Sequence, residues 1–360
     1  MGGRHLRSGA HLDLRRTPQG CGMLAVILEP TNRCNRDCLH CLRNKAEPPG
    51  DLPLDTAGTI LAQARVLSLK SVCLTGGEVA VYPHLEELVR MIVDYGFRFS
   101  MVTNGFRFEE RLLPLLSEPK IKKKSDGVCF SLDGARASTH DALRGRGSFK
   151  EVMEAASLCK LHNISVSLKS AITNFNKGEL SELALLGATL EAKDHGFIYL
   201  FPTPRAIKEG VMPSPDELDR ICSWILAGLA KTVRGRIAVE GFLHGTVTFL
   251  CGNIYEGISF DFQGNLVFCC NLSHMNEGED ILPRPGKEVL GNVRDISLKE
   301  GIIKHFRMVA KLMEARLEDQ DNLSGVSYNP CYWCVKHFGK SDWLKNYPES
   351  PWAAGVIGGH

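Results

Sequence analysis

Residues 24–41 read LAVILEPTNRCNRDCLHC. The apolar run Leu24–Leu28 passes directly into a polar loop holding Cys34, Cys38 and Cys41, spaced C-x3-C-x2-C. A short run of this kind reads as a strand buried on both faces, which puts the cysteines on the loop that follows it. Similar runs return at Ser71–Leu74, Phe99–Val102, Val128–Leu132, Ser165–Leu168 and Phe197–Phe201. Helical periods separate them, as in Leu85, Leu88, Val89 and Ile92. Another follows the sixth run, at Leu218, Ile221, Cys222 and Ile225. Asp55 and Ser214 are the expected N-caps of two of these helices. Repeated strand–helix units predict an α/β fold with a parallel sheet and right-handed crossovers. Six units occupy fewer residues than the roughly 250 of a closed eight-fold barrel. A partial (β/α)6 TIM-like barrel over residues 23–232 is the economical expectation, and a doubly wound open sheet is the alternative.

After residue 232 the rhythm changes. Arg236–Val239 and Thr246–Leu250 read as short strands, and Ile258–Phe262 with Leu266–Phe268 as a hairpin turning at Gln263–Gly264. A polar stretch, Asn276–Lys287, precedes a long helical region from Ser297 to about Glu318. Residues 233–340 are expected to form a smaller α+β module, flanked by tails at 1–22 and 341–360.

Forty-three Lys and Arg balance forty-one Asp and Glu, a net charge of +2 that gives no reason to expect nucleic acid or an anionic membrane as partner. No apolar run approaches the roughly 18 residues of a membrane span. The basic N-terminus lacks the apolar stretch of a signal peptide. A cytoplasmic protein is expected. Thirteen cysteines are many for such a chain, and a reducing compartment points to metal or thiol chemistry before disulfides. Cys73, Cys129, Cys159 and Cys222 fall within apolar patterns and read as packing residues, and Cys21 is undecided. The other eight lie in spaced sets.

Three thiolates on one loop suit a [4Fe–4S] cube with one iron left open for a ligand, whereas zinc favours four ligands in paired knuckles. Thr75-Gly76-Gly77-Glu78 ends the second run: paired glycines admit close backbone approach, and the carboxylate suits an ammonium. Thr103-Asn104-Gly105 and Ser131-Leu132-Asp133-Gly134 end the third and fourth, at the rim where barrel active sites sit. The spacing, its place after the first strand and these motifs resemble the radical S-adenosylmethionine (radical SAM) superfamily. The resemblance implies that Cys34, Cys38 and Cys41 hold the open cluster and that SAM binds its free iron. Reductive cleavage then gives a 5′-deoxyadenosyl radical that takes hydrogen from substrate. It implies SAM contacts at Gly76, Gly77 and Glu78, with Val79 in place of the usual proline. His40 stands where an aromatic residue usually lies beside the adenine. The phrase SLDGARASTHDALRGRGSF at 131–149 implies further contacts from Ser131 and Arg144, and from Asp133 and Asn104.

A second set comprises Cys251, Cys269, Cys331 and Cys334. Four thiolates in a small module close either a [4Fe–4S] cluster or a tetrahedral zinc site. The pattern C-x12-G-x4-C, then LGNVRDISLKEG, then C-x2-C, resembles the twitch domain, a shortened relative of the SPASM domain. That implies one auxiliary, fully ligated cluster. Cys270 rivals Cys269 as ligand; Gly264 favours Cys269, and adjacent strand residues face opposite ways. Lys169, Tyr199 and the segment Phe201–Arg205 are candidate substrate contacts at the barrel mouth, or else rim packing. The family resemblance implies an oxidoreductase or maturase that oxidises or cross-links a peptide. A dehydrogenase acting on a sugar, aminocyclitol or cofactor precursor is the close alternative, and a non-catalytic iron–sulfur electron carrier the third. An electron donor such as flavodoxin or ferredoxin is implied. With some 33 residues before Cys34, a fused N-terminal peptide-recognition domain is not expected.

Overall fold

Ten strands join into one sheet in the order β10-β9-β8-β1-β2-β3-β4-β5-β6-β7. The computed structural model describes residues 24–43, 47–233, 235–241, 251–273, 286–323 and 325–357. Strands β1 (Ala25–Leu28), β2 (Ser71–Leu74), β3 (Arg98–Thr103), β4 (Ser125–Ser131), β5 (Val166–Ala171), β6 (Asp194–Ile198) and β7 (Arg236–Glu240) are parallel neighbours in chain order. Order without a reversal removes the doubly wound alternative, whose sheet needs a switch point where the winding changes direction. Right-handed crossovers that all step one way put every helix on the same face. The result is a partial TIM-like barrel.

The sheet runs past the six expected strands at both edges. Arg236–Glu240, read as part of the smaller module, pairs with β6. The first hairpin strand, β8 (Gly257–Phe260), lies parallel to β1, and β9 (Asn265–Val267) and β10 (Val289–Asn292) continue antiparallel. A hydrophobic pattern marks a strand but not its partner, so the sequence shows no sign of this continuity across residue 233. Residues 341–357 also differ from the expected tail. Trp343, Leu344, Trp352 and Ala353 are buried, and the Trp352 indole donates to the Pro213 carbonyl at 3.0 Å. The expected strand at 246–250, Cys21 and residues 274–285 lie outside the described residues.

Helices form where their periods place them. Leu85, Leu88, Val89 and Ile92 are fully buried on the helix Leu85–Asp94. Ser214 caps Pro215–Trp224, its hydroxyl accepting from the Glu217 amide. Ser297 and Glu300 form a capping box at the start of Leu298–Glu318. Asp55 is not a cap: the helix Leu54–Val66 begins after Pro53, and Asp55 sits in its first turn, favoured there by the helix dipole.

The two sheet faces differ in composition. Under the helices lie Val72, Leu74, Phe99, Met101, Val128, Phe130 and Leu168, nearly all without exposure. On the inner face Ser71, Cys73, Ser100, Val102, Cys129, Ser131, Ser167 and Lys169 are only half-buried. A closed barrel fills this space with branched side chains; here small residues leave it open. Two cysteines assigned to packing are therefore divided from the other two. Cys159 and Cys222 are core residues, whereas Cys73 and Cys129 face the open interior.

His195 on β6 is buried, stacks on Phe197 with ring centroids 4.5 Å apart, and shares a 2.8 Å hydrogen bond with the Ser170 hydroxyl. Burial pushes its pKa down to about 4, so the fold holds it neutral. Its folded pKa lies below the unfolded value near 6.5, so this stabilisation is complete above pH 6.5 and is lost as pH falls toward 4. Urea denaturation should show about 3 kcal/mol more acid loss over that window in wild type than in His195→Gln.

Candidate functional site

The first cysteine loop is held by the chain's own backbone. Gly77 donates to the Thr31 carbonyl at 2.9 Å and Glu78 to the Arg33 carbonyl at 2.8 Å. The loop also closes on itself: Asn32 Nδ2 donates to the Pro48 carbonyl, and the Gly50 amide to Asn32 Oδ1. The paired glycines follow directly from this docking. Gly76 has φ +109°, and a Cβ there would lie 2.7 Å from the Thr31 carbonyl oxygen; one on Gly77 would overlap the Arg33 carbonyl. The cysteine loop makes a close approach to both glycines.

Glu78 is buried and its carboxylate is engaged within the chain. One oxygen accepts from the Thr103 hydroxyl (2.6 Å) and the Ala80 amide, the other from the Asn104 amide (2.7 Å). Burial raises its pKa to about 6 against these donors. Asn104 in turn reaches the cysteines. Its side-chain NH2 donates to Asn35 Oδ1 at 2.9 Å and lies 3.8 Å from Cys34 Sγ.

Asp133 is a hub on the loop's other side. It has no exposure, and its oxygens accept from the Ala171 amide (2.8 Å), from Arg144 Nε and from His40 Nε2 (3.2 Å). Burial alone would raise its pKa, but Arg144 and His40 overcome it and hold the carboxyl well below the usual range. No oxygen of Asp133 faces an open site, so it positions Arg144 and His40. Arg144 Nη1 lies 4.0 Å from Cys38 Sγ. His40 Nδ1 is buried with no hydrogen-bond partner.

Sequence reasoning overlooked two supports of this hub. His140 Nδ1 accepts from the Asp133 amide at 3.0 Å, and burial lowers its pKa to about 4, which keeps that nitrogen an acceptor. Asn176 donates to the carbonyls of Asp133 and Ala171. The first was detectable: His140 and Arg144 are four apart on the helix Ala137–Arg144 and so share a face. Asn176 gave no such signal.

Burial raises Cys34 and pushes Cys38 up to about 11, and Cys41 lies near enough to add to both. Among the described residues no three His, Cys, Asp or Glu side chains already converge as a metal site. The donor set nevertheless fits an iron–sulfur cluster: three thiols on one pinned loop, with Arg144 beside one and an amide beside another. Ser131 lies on the inner face, in register with Lys169.

The second set converges on a small cavity of about 40 Å³, lined by Cys251, Cys269, Cys331 and Cys334 with Phe201, Ile254, Phe268, Leu272 and Val335 among others. Cys331 and Cys334 share one face of the helix Pro330–His337, whose cap Asn329 also donates to the Gly241 carbonyl at 2.8 Å. Burial drives both thiols upward, as it does Cys251. Four sulfurs around one apolar space are a soft-metal donor set. Cys270 does not line this cavity; its thiol lies near enough to both Cys73 and Cys251 to raise them. Tyr199 and Phe201 are buried packing residues, and Tyr199 meets Trp352 edge-on. Arg205 ties its segment to the cysteine loop through Asp37 at 2.6 Å.

Residues 28–185 match the model of the radical SAM superfamily. Among curated proteins, the AdoMet-dependent heme synthase of Methanosarcina barkeri is 27% identical over 55% of this chain and 56% of its own length. The mycofactocin maturase MftC of Mycobacterium tuberculosis is 28% identical over 61% of this chain and 55% of its own. The chain thus spans about half the length of these relatives. The structure of native anSMEcpe with bound AdoMet superposes with a TM-score of 0.61 at 17% identity, covering 90% of this chain and 98% of that one.

Two variants probe the architecture. Gly77→Ala should displace the cysteine loop, cutting iron uptake on reconstitution at least severalfold while far-UV circular dichroism is kept. Asp133→Ala leaves Arg144 buried without its partner and should cost about 3–5 kcal/mol in urea denaturation.

Proposed function

We propose that the chain, whose residues 28–185 match the radical SAM superfamily model, is an enzyme of that kind, one that cleaves SAM reductively and takes hydrogen from a peptide, oxidising or cross-linking it. The observation that carries this reading is the docking of the Cys34–Cys41 loop on the Gly76–Glu78 turn, beside an open barrel interior. An electron carrier needs no such interior. The maturase among the relatives favours a peptide substrate. The heme synthase favours the second reading, the same chemistry on a small molecule.

In this proposal Cys34, Cys38 and Cys41 hold a [4Fe–4S] cluster with an open position, and Cys251, Cys269, Cys331 and Cys334 an auxiliary one. When bound, cluster and SAM supply a hydrogen-abstracting 5′-deoxyadenosyl radical. The chain's own residues fix the geometry. Asp133 aims Arg144 and His40 along the cysteine loop, Glu78 pins Asn104 beside Cys34, and Ser131 with the backbone of Gly76 and Gly77 completes the SAM pocket. Residues 23–232 hold the SAM-binding residues and 233–340 the auxiliary thiols, with β7 and β8 of the second part completing the sheet of the first. The auxiliary cavity is enclosed by apolar side chains, which suits a centre that accepts an electron without touching substrate. The twelve described cysteines are all free thiols, in keeping with a cytoplasmic protein that draws electrons from a flavodoxin or ferredoxin. Among the described residues no helix is long and apolar enough to cross a membrane.

Anaerobically reconstituted protein given dithionite and SAM should yield 5′-deoxyadenosine and carry about eight iron atoms per chain, two cubanes' worth. Cys34→Ala, Cys38→Ala and Cys41→Ala should each abolish the product. Cys331→Ala should lose about half the iron yet leave uncoupled cleavage detectable by mass spectrometry. Retained cleavage in any of the first three variants sinks the assignment.

A further inference from the structure

The inner face of the sheet carries a charge pair that the SAM chemistry does not use. Register pairing defines this face: Ile27 beside Cys73, Cys73 beside Ser100, Cys129 beside Ser167, Ser131 beside Lys169, Lys169 beside Gly196, and Gly196 beside Ala238. These are small or neutral residues apart from Lys169; the same face also carries Asp194 and Arg236, paired with each other at the N-terminal end of β6 and β7. The Lys169 ammonium pairs with Glu240 Oε2 at 3.0 Å, with the two side chains 38% and 44% exposed. Glu240 reaches it from the edge strand β7 by lying over Gly196, where a Cβ would stand 2.6 Å from its other oxygen.

Stability does not account for the pair. A half-exposed ion pair contributes little once the entropy of ordering two long side chains is set against it. Such a lysine is poor filling for a barrel, and the small residues around it keep the space over it open. Burial works against its charge, but the Glu240 carboxylate outweighs it and keeps the amine protonated, so it acts as a fixed cation and not as a base. A compact ammonium with hydrogens beyond the one given to Glu240 recognises a carboxylate. Ser131, one strand away in register, belongs to the proposed SAM pocket, so a group held by Lys169 would lie beside the reacting centre.

We propose that Lys169 is a specificity-determining residue that anchors a carboxylate of the substrate on the inner face of the barrel, with Glu240 as the partner it exchanges. The inference rests on the radical SAM reading and deepens it. The carboxylate has two possible sources, an acidic peptide residue or a small organic acid.

Reconstituted protein with SAM would be equilibrated anaerobically with two pools: N-acetylated octapeptides containing Asp or Glu mixed with their Asn or Gln counterparts, and small carboxylic acids mixed with their amides. The retained fraction would be read by mass spectrometry. Wild type should favour acid over amide by about tenfold or more in at least one pool, a difference of 1.4 kcal/mol. Lys169→Met, which keeps the length without the charge, should bring the ratio near one, and Lys169→Arg should restore most of it. Glu240→Gln, which removes the competing carboxylate, should raise it; a merely structural pair would give no such rise. Equal retention of acid and amide in both pools, or retention of neither, overturns the inference. Acid preference among small acids only keeps Lys169 in this role and removes the peptide reading. Peptides retained without acid preference do the reverse.

Discussion

Two backbone hydrogen bonds, from Gly77 to the Thr31 carbonyl and from Glu78 to the Arg33 carbonyl, decide where the functional loop can lie. They join the loop after β1 to the turn after β2, so a segment with no regular structure gains the rigidity of the sheet. The bonds form only because two consecutive residues lack a Cβ. Glycine there costs conformational entropy on folding, and the return is a cysteine loop fixed before any ligand arrives. Glu78 continues the linkage by receiving Thr103 and Asn104, which extends it to β3 and back to Cys34.

The opposite side of the loop is fixed by charge. Asp133 has no water around it and remains ionised because Arg144 and His40 answer it and the Ala171 amide takes its remaining oxygen. Buried charge networks are stable only when every member is paired, which explains the surrounding shell of His140 and Asn176. The thiols are the counterpart. Burial keeps Cys38 protonated well above neutral pH, so metal binding must release protons and becomes easier as pH rises.

The second thiol cavity is bound to the first through the sheet. β8 is hydrogen-bonded along β1, the strand that delivers the first cysteine loop. Cys251 precedes β8 by one helical turn and Cys269 follows β9, so two of its four thiols are placed by strands continuous with the barrel. The other two arrive on a helix whose cap, Asn329, is tied to the end of β7 through Gly241. Both edges of the sheet therefore contribute to one cavity. Such construction holds the distance between the two thiol sets nearly constant, which matters for any electron passing between them.

What the sequence determined was local. Apolar runs specified β1 to β3 closely and β4 and β5 to within three residues, the helical period specified the long helix, and the spacing of Cys34, Cys38 and Cys41 marked a candidate metal-binding loop, because each is a property of neighbouring residues. β6 was displaced toward its C-terminal end, since its polar start, Asp194-His195-Gly196, hides a buried neutral histidine. The tertiary structure decided the rest. Whether Arg236–Glu240 and Gly257–Phe260 belong to a separate module or to the barrel sheet depends on partners more than 40 residues distant, which no local pattern encodes. Cys269 and Cys270 are chemically identical, and only the folded backbone makes Cys269 line the second thiol cavity while Cys270 lies near both Cys73 and Cys251. Cys73 and Cys129 look like core residues in an apolar string, and the open barrel makes them cavity residues. Asp133 is the buried counter-charge of Arg144 and His40, because burial is set by what the folded chain lays over a residue.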